Sequence, residues 1–492
     1  MRTADDRGFS GSHGKRAVIA AVCMLAGGLG GCASAHMIRV PAVTTGPGCQ
    51  VPVPERDVLV GVALSGGGSR AALFAAAGLE ALARLRTRSG ASALEQVSYV
   101  SSVSGGSLAA SYYALKKPPR DVPMLTPDGE LTFAYRAFFE QARIDLSQDF
   151  ERQMVIKQLL AFRWLNSFLF ARSLSEVLRD RLLGDASMMD LSAREARGDS
   201  PGLIVNTTLY NNGRRLALTT LSPDAFRYDL LRDLRASLER RGRTADVSPV
   251  LVRGWESLWP LTPLDLQANP CPMSVAGGVT ASASFPPVIG PITLQVGGQE
   301  TYWHAGDGGL YENQGVESLV FLFLKRLQEG KVRRVLLLAF DGAFPFSVGD
   351  RRLNQRSEPF SLLSFDFSRV PSIMEERATT WRTLFFRGMQ LEGVFPDDRT
   401  FRVIPLRHGD ARWRDDVSDL PSECRSERPP LASPKDIVQR IAEIPTRLRV
   451  TSACDRALLA TAAANLVDQH RDAILEPLDA RETAGPPADP SR

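Results

Sequence analysis

Two short apolar runs, each ending in glycines and each followed by a helical stretch, constrain this chain more than any other feature. Val58 to Leu64 is continuously apolar and rich in valine, the pattern of a strand buried on both faces. It ends in Ser65-Gly66-Gly67-Gly68-Ser69-Arg70, and Ala71 to Leu85 then gathers Ala and Leu, the strongest helix formers. Val97 to Ser102 repeats the strand signal, Val103 to Gly106 forms a tight turn, and Ser107 to Leu115 reads as a second helix. Strand, glycine turn, helix, repeated, is how a mainly parallel α/β sheet is built. Further strands are expected at Leu203 to Tyr210, Arg215 to Thr220 and Val335 to Phe340.

The flanks divide the chain. A basic stretch ending in Lys15-Arg16 precedes an apolar run from Ala17 to Gly31, too short for the roughly 20 residues a membrane-spanning helix needs, so residues 1–31 read as a signal peptide. The run closes on Leu29-Gly30-Gly31-Cys32, which resembles the bacterial lipobox; that resemblance implies lipidation of Cys32 and a place in the bacterial cell envelope. Ala33, rather than Asp, follows the cysteine, and the resemblance to enterobacterial lipoproteins then implies the outer membrane. Pro41, Pro47, Pro52 and Pro54 mark residues 32–57 as a spacer. A folded domain is expected over 58–349 with a helical insertion at about 117–200, then a mainly helical extension over 350–484 and a disordered tail at 485–492.

At 492 residues with 44% hydrophobic and 23% charged positions, the chain has enough apolar material for a sizeable core. Its formal net charge of +4 is too balanced to suggest nucleic acid as a partner. Phe133, Tyr135, Phe138, Phe139, Phe162, Trp164, Phe168 and Phe170 fall in a helical stretch, 131–191, that reads either as core or as a lipid-facing lid. Beyond Cys23 and Cys32, four cysteines remain: Cys49, Cys271, Cys424 and Cys454. An even remainder in an exported chain suits disulfides, with Cys424 to Cys454 the preferred pair and the other connectivities open. No spacing suits a metal, and no cofactor is expected.

Three loops carry the chemistry. Three successive glycines at Gly66, Gly67 and Gly68 let backbone approach an anion at a helix start. The Gly-Lys-Ser/Thr ending of a phosphate loop is absent, so a developing oxyanion is the better ligand. Arg70 either contacts an anionic head group or serves as a structural ion pair. In Ser102-Val103-Ser104-Gly105-Gly106, small neighbours let a strained strand-to-helix turn expose a serine hydroxyl, making Ser104 the candidate nucleophile and Gly105 and Gly106 its support. Asp307-Gly308-Gly309 places a carboxylate on a turn.

In this order, SGGGSR loop, SVSGG elbow and DGG turn, the three resemble the patatin-like phospholipases, as does the block Thr280 to Pro287. The resemblance spans roughly Val58 to Phe346 and implies a three-layer α/β/α fold. It implies Gly66, Gly67 and Gly68 as the oxyanion loop and Ser104 with Asp307 as a dyad without histidine. The substrate implied is a lipid acyl ester at a membrane. Ser102 departs from the usual glycine of the elbow.

Other readings compete. Only His408 and His470 follow Asp307 for a Ser-Asp-His triad, and Asp341, at the end of the strand Val335 to Phe340, is a second candidate acid. The same fold can also carry a catalytically silent lipid-binding protein, or an acyltransferase or thioesterase using the same site.

Overall fold

The computed structural model describes residues 36–43, 48–163, 169–243, 249–286, 288–298, 300–343, 369–391 and 399–479. The signal peptide, Cys32, Trp164, Phe168 and the tail at 485–492 lie outside them.

Among the described residues nine strands form one sheet: β1 His36–Val40, β2 Val58–Leu64, β3 Val97–Val103, β4 Gly202–Leu209, β5 Arg214–Thr219, β6 Ile292–Val296, β7 Tyr302–Asp307, β8 Arg334–Asp341 and β9 Thr400–Arg407. Their spatial order is β1-β6-β7-β4-β3-β2-β8-β9, with β5 also on β4. Strands β4, β3, β2, β8 and β9 run parallel, while β5 and β7 run antiparallel to β4.

Period-two alternation feeds both faces of this sheet. From β8, Leu336, Leu338 and Phe340 join the core under the helices Gly68–Arg84, Gly105–Lys116 and Ala453–Gln469; Val335, Leu337 and Ala339 join the opposite core under the helix Val316–Gln328. A strand buried on both faces reads as a continuous apolar run for this reason. Gly61 is required on the second face, since a Cβ there would stand 2.6 Å from the Phe323 ring.

Both flanks contribute strands to the sheet. The stretch 32–57 is not only a spacer: β1 pairs in parallel with β6, and Cys49 is bonded to Cys271. The extension over 350–484 carries helices and also one strand of the sheet. Strand β9 continues the sheet beside β8, and the Cys424–Cys454 disulfide ties that region to the helix packed on Gly68–Arg84.

Within 131–191, Tyr135 and Phe139 are core, whereas Phe133 and Phe162 face outward. Among the described residues no helix is long and apolar enough to cross a membrane, and no group of three or more His, Cys, Asp or Glu is placed to hold a metal ion.

Candidate active site

Strand β3 ends at Val103 and the helix Gly105–Lys116 starts two residues on, so Ser104 alone turns the chain. It does so at φ 48° and ψ −118°, a region that costs a residue with a side chain on the order of 1–3 kcal/mol. Close packing enforces the turn. A Cβ at Gly105 would lie 2.0 Å from the Gly68 carbonyl oxygen, and one at Gly106 would lie 2.4 Å from that of Leu64. Ser102 fits where a glycine was expected because its side chain is buried and its hydroxyl donates to the Ile204 carbonyl at 3.3 Å.

The edge of β4 brings the second group in. Strand β5 occupies one edge of β4 from Ile204 to Leu209, so β3 and β7 must share the other. Val103 stands opposite Asn206, and Asp307, at the end of β7, stands opposite the next residue, Thr207. The Ser104 hydroxyl donates to Asp307 Oδ2 at 2.9 Å, and the Gly309 N–H donates to Oδ1 at 2.8 Å. Asp307 is only 3% exposed. Burial pushes its carboxyl up to about 7, against the pull of the hydrogen bonds from Gly309 and Ser104.

Asn206 organises the floor beneath the pair. Its amide nitrogen donates to Ser101 Oγ at 2.9 Å and to the Ser102 carbonyl at 3.0 Å, and it accepts from Ser318 Oγ at 2.6 Å. Its carbonyl accepts from Ser282 Oγ at 2.6 Å, and Ser282 Oγ in turn receives the Ser104 N–H at 2.9 Å. Sequence reasoning missed Asn206; a lone amide in a strand of apolar and threonine residues was the only available signal.

The glycine loop abuts the serine. A Cβ on Gly66 would stand 3.2 Å from Ser104 Cβ and 2.1 Å from Asn313 Oδ1. Its amide is not free for an oxyanion, because it donates to the Asn313 carbonyl at 2.8 Å. Gly66 therefore supplies clearance. Gly67 and Gly68, at φ 139° and 63°, leave two N–H groups without an acceptor among the described residues.

Arg70 is not an anion contact. It is 2% exposed, and its guanidinium donates to the carbonyls of Gly342 at 2.9 Å and Ile444 at 2.6 Å and to Thr446 Oγ1 at 3.0 Å. It locks the loop to the C-terminal region, whose Arg447 carbonyl accepts the Ser69 N–H at 2.7 Å.

The rival acids and bases have other partners. Asp341 accepts from Gln314 Nε2 at 3.1 Å and from the Ala343 N–H at 2.9 Å. His408 is buried against Phe74, with Nδ1 3.1 Å from the Asp341 carbonyl; burial, then the nearby Arg70, lower its imidazole to about 4. His470 ends the helix Ala453–Gln469, with Nδ1 2.9 Å from the Leu466 carbonyl.

A buried ionic cluster, also missed, sits behind the Asp307 turn. Arg382, on the helix Arg369–Leu391, meets Glu312 at 3.2 Å, Glu317 at 3.0 Å and Glu375 at 2.7 Å, while Arg215 meets Glu317 at 2.9 Å. Burial raises the carboxyls of Glu312 and Glu375, with Arg382 opposing.

The family model described as "Patatin-like phospholipase" matches residues 62–320, just over half of the chain. This chain belongs to the patatin-like phospholipase family. The three-layer arrangement and the motif order described above are those its resemblance implied. Among solved structures it is similar to human GIVD cytosolic phospholipase A2, at 13% identity and a TM-score of 0.46, covering 86% of this chain and 60% of that one. The same human protein in complex with methyl gamma-linolenyl fluorophosphonate matches at 17% identity and TM-score 0.38, over 86% of this chain and 59% of that one. VipD from Legionella pneumophila matches at 14% identity and TM-score 0.24, over 61% and 52%. This patatin-like chain thus spans about three fifths of the length of the human protein. No curated protein sequence matches it.

Proposed function

We propose that this patatin-like protein is a lipid acyl hydrolase of the phospholipase A or lysophospholipase type, working through a Ser104–Asp307 dyad. The hydrogen bond of 2.9 Å from the Ser104 hydroxyl to the Asp307 carboxylate carries the reading. In the ionised enzyme Asp307 accepts the serine proton as Oγ attacks the ester carbonyl, and the N–H groups of Gly67 and Gly68 receive the charge that develops on the carbonyl oxygen. The alcohol leaves with the proton, an acyl-serine remains, and water releases the fatty acid. A carboxyl at about 7 suits this task better than one near 4, because a base poised close to neutrality takes the proton and still returns it.

The same reading places the protein in the bacterial envelope with Cys32 lipidated. Two disulfides, Cys49–Cys271 and Cys424–Cys454, support an oxidising compartment outside the cytosol. A fluorophosphonate probe tests the chemistry: it should label the wild type and not Ser104→Ala, and labelling that persisted in the variant would move the nucleophile elsewhere. Cys32→Ala should release the protein from membranes; unchanged membrane association would refute the anchor.

A further inference from the structure

The first described residue of the body, His36, comes only four positions after Cys32. Four Cα–Cα steps of about 3.8 Å put Cys32 no more than ~15 Å from His36. His36 lies opposite Ile292 on β6, and Ile292 opposite Ala305 on β7, two residues before Asp307. Two strand spacings of about 5 Å and two residues along a strand place His36 at most ~17 Å from Asp307. A lipid on Cys32 would therefore hold the catalytic end of the sheet close to the leaflet that contains it.

A second observation marks the same side of the molecule. The helix Phe150–Leu160 buries Phe150, Met154 and Gln158 and turns Val155, Ile156, Leu159 and Leu160 outward, with Phe162 just beyond; Leu160 is 76% and Phe162 84% exposed. The helix begins beside the glycine loop, since the Phe150 N–H donates to the carbonyl of Leu448, the neighbour of Arg447 that caps Ser69. Its far end lies near β1. Arg163 pairs at 3.0 Å with Glu176 on the helix Phe170–Leu178, which packs against the helix Val275–Ser282, where a Cβ on Gly277 would stand 3.1 Å from Ile38 of β1. The apolar face thus runs from the margin of the site to the edge where the tether starts. Burying such a face in the headgroup boundary contributes about 25 cal/mol per Å² of apolar area, and aromatic and aliphatic side chains of this kind are what interfacial helices use.

We propose that the face formed by Val155, Ile156, Leu159, Leu160 and Phe162 seats on the leaflet that holds the Cys32 acyl chains, so that the enzyme draws its ester from the membrane in which it is itself anchored. This rests on the hydrolase and anchor readings above. The occupant is a lipid surface because the short chain from Cys32 leaves room for little else between this edge and the bilayer.

The test uses the full lipidated chain reconstituted in vesicles of phosphatidylethanolamine and phosphatidylglycerol, with fatty-acid release from the vesicles compared with turnover of soluble p-nitrophenyl butyrate. The combined substitution Leu159→Glu, Leu160→Glu and Phe162→Glu should lower release from vesicles at least tenfold and leave the soluble ester unaffected. Trp381→Glu with Leu384→Glu, on the separate exposed face of the helix Arg369–Leu391, should leave both rates as they are. Equal vesicle rates for the triple variant and wild type, or loss confined to the Trp381 and Leu384 variant, would overturn the proposal. Failure of the underlying readings looks different: no turnover of the soluble ester by wild type would sink the hydrolase, and a Cys32 that carries no acyl chains, read by mass spectrometry of the protein purified from membranes, would sink the anchor.

Discussion

Val103 and Asp307 stand opposite consecutive residues, Asn206 and Thr207, on one edge of β4, so the strand that ends before Ser104 and the strand that ends at Asp307 meet head to head. The Ser104–Asp307 pair is therefore set by sheet register, and in the proposed mechanism one member is the nucleophile and the other its base. Ser104→Ala and Asp307→Asn should each lower kcat by about 10⁴-fold, the loss typical when a nucleophile or its polar partner is removed. His470→Ala, at a half-buried helix end, should leave kcat within about threefold of wild type; a loss like that of Asp307→Asn would restore a histidine to the mechanism. Steady-state rates on a soluble ester decide this.

Asp307 links activity and stability to pH with opposite signs. Its working form is ionised and its carboxyl sits at about 7, so the rate should climb with pH, level off above about 7 and fall roughly tenfold per pH unit below. Stability runs the other way. Folded Asp307 keeps its proton up to about 7, whereas the unfolded chain loses it near 3.8, so the folded state binds more protons across that window and loses stability as pH rises through it. With each pH unit of displacement equivalent to about 1.4 kcal/mol, the cost of the ionised carboxylate at pH 8 is on the order of 4 kcal/mol. Asp307→Asn should accordingly melt several degrees higher than wild type at pH 8 and much closer to it at pH 4. Equal melting temperatures at pH 8 would show that burial is not what raises the carboxyl.

Glycine is required in the loop for two separable reasons. At Gly68 both apply: φ is 63°, and a Cβ would lie 2.3 Å from the Arg447 carbonyl oxygen. At Gly213, in the turn between β4 and β5, φ is 67° but nothing stands within 4 Å of the added Cβ. Gly68→Ala should therefore displace an oxyanion donor, costing ~10²- to 10³-fold in kcat, as well as stability. Gly213→Ala should cost only about 1 kcal/mol of stability with kcat intact. Chemical denaturation alongside kinetics separates the two, and a Gly68→Ala enzyme with wild-type kcat would remove the loop from the mechanism.

What was legible in the sequence was local. Gly66 to Gly68, Ser104 and Asp307 each sit at a strand end whose turn chemistry shows in three to five residues, and a strand buried on both faces shows as the run Val58 to Leu64. What depends on distant pairing was not legible. Strand β1 hides in a proline-containing stretch because its partner, β6, is some 250 residues away, and β9 alternates buried and half-exposed positions at the sheet margin. The sequence leaves Arg70, two residues after the glycine run, as either an anion contact or a structural ion pair; its ligands, the carbonyls of Gly342 and Ile444, come from far along the chain. Asn206 gave no signal because its role follows from which strands flank β4.

Arg382 supplies the sharpest test of how the Asp307 turn is held. Its guanidinium faces Glu312, Glu317 and Glu375 and also donates to Gln314 Oε1 at 3.2 Å, so it ties its own helix, through Glu375, to the segment that follows Asp307. That segment also fixes the glycine loop, through the Asn313 carbonyl and the Gly66 N–H. Arg382→Met keeps the length of the side chain and removes the charge, leaving Glu312 and Glu375 buried with their main counterion gone. Breaking a buried pair in this way costs about 3–5 kcal/mol. Both carboxyls are already raised by burial, and without Arg382 they rise further, so the variant's deficit should be largest at alkaline pH and shrink as acid neutralises them. Because Arg382 touches neither Ser104 nor Asp307, any loss of kcat must act through the turn, and Arg382→Lys should recover part of both stability and rate. A variant with wild-type melting at pH 8 and wild-type kcat would mean that the turn keeps its shape on the Asp307–Gly309 and Gly66–Asn313 hydrogen bonds alone.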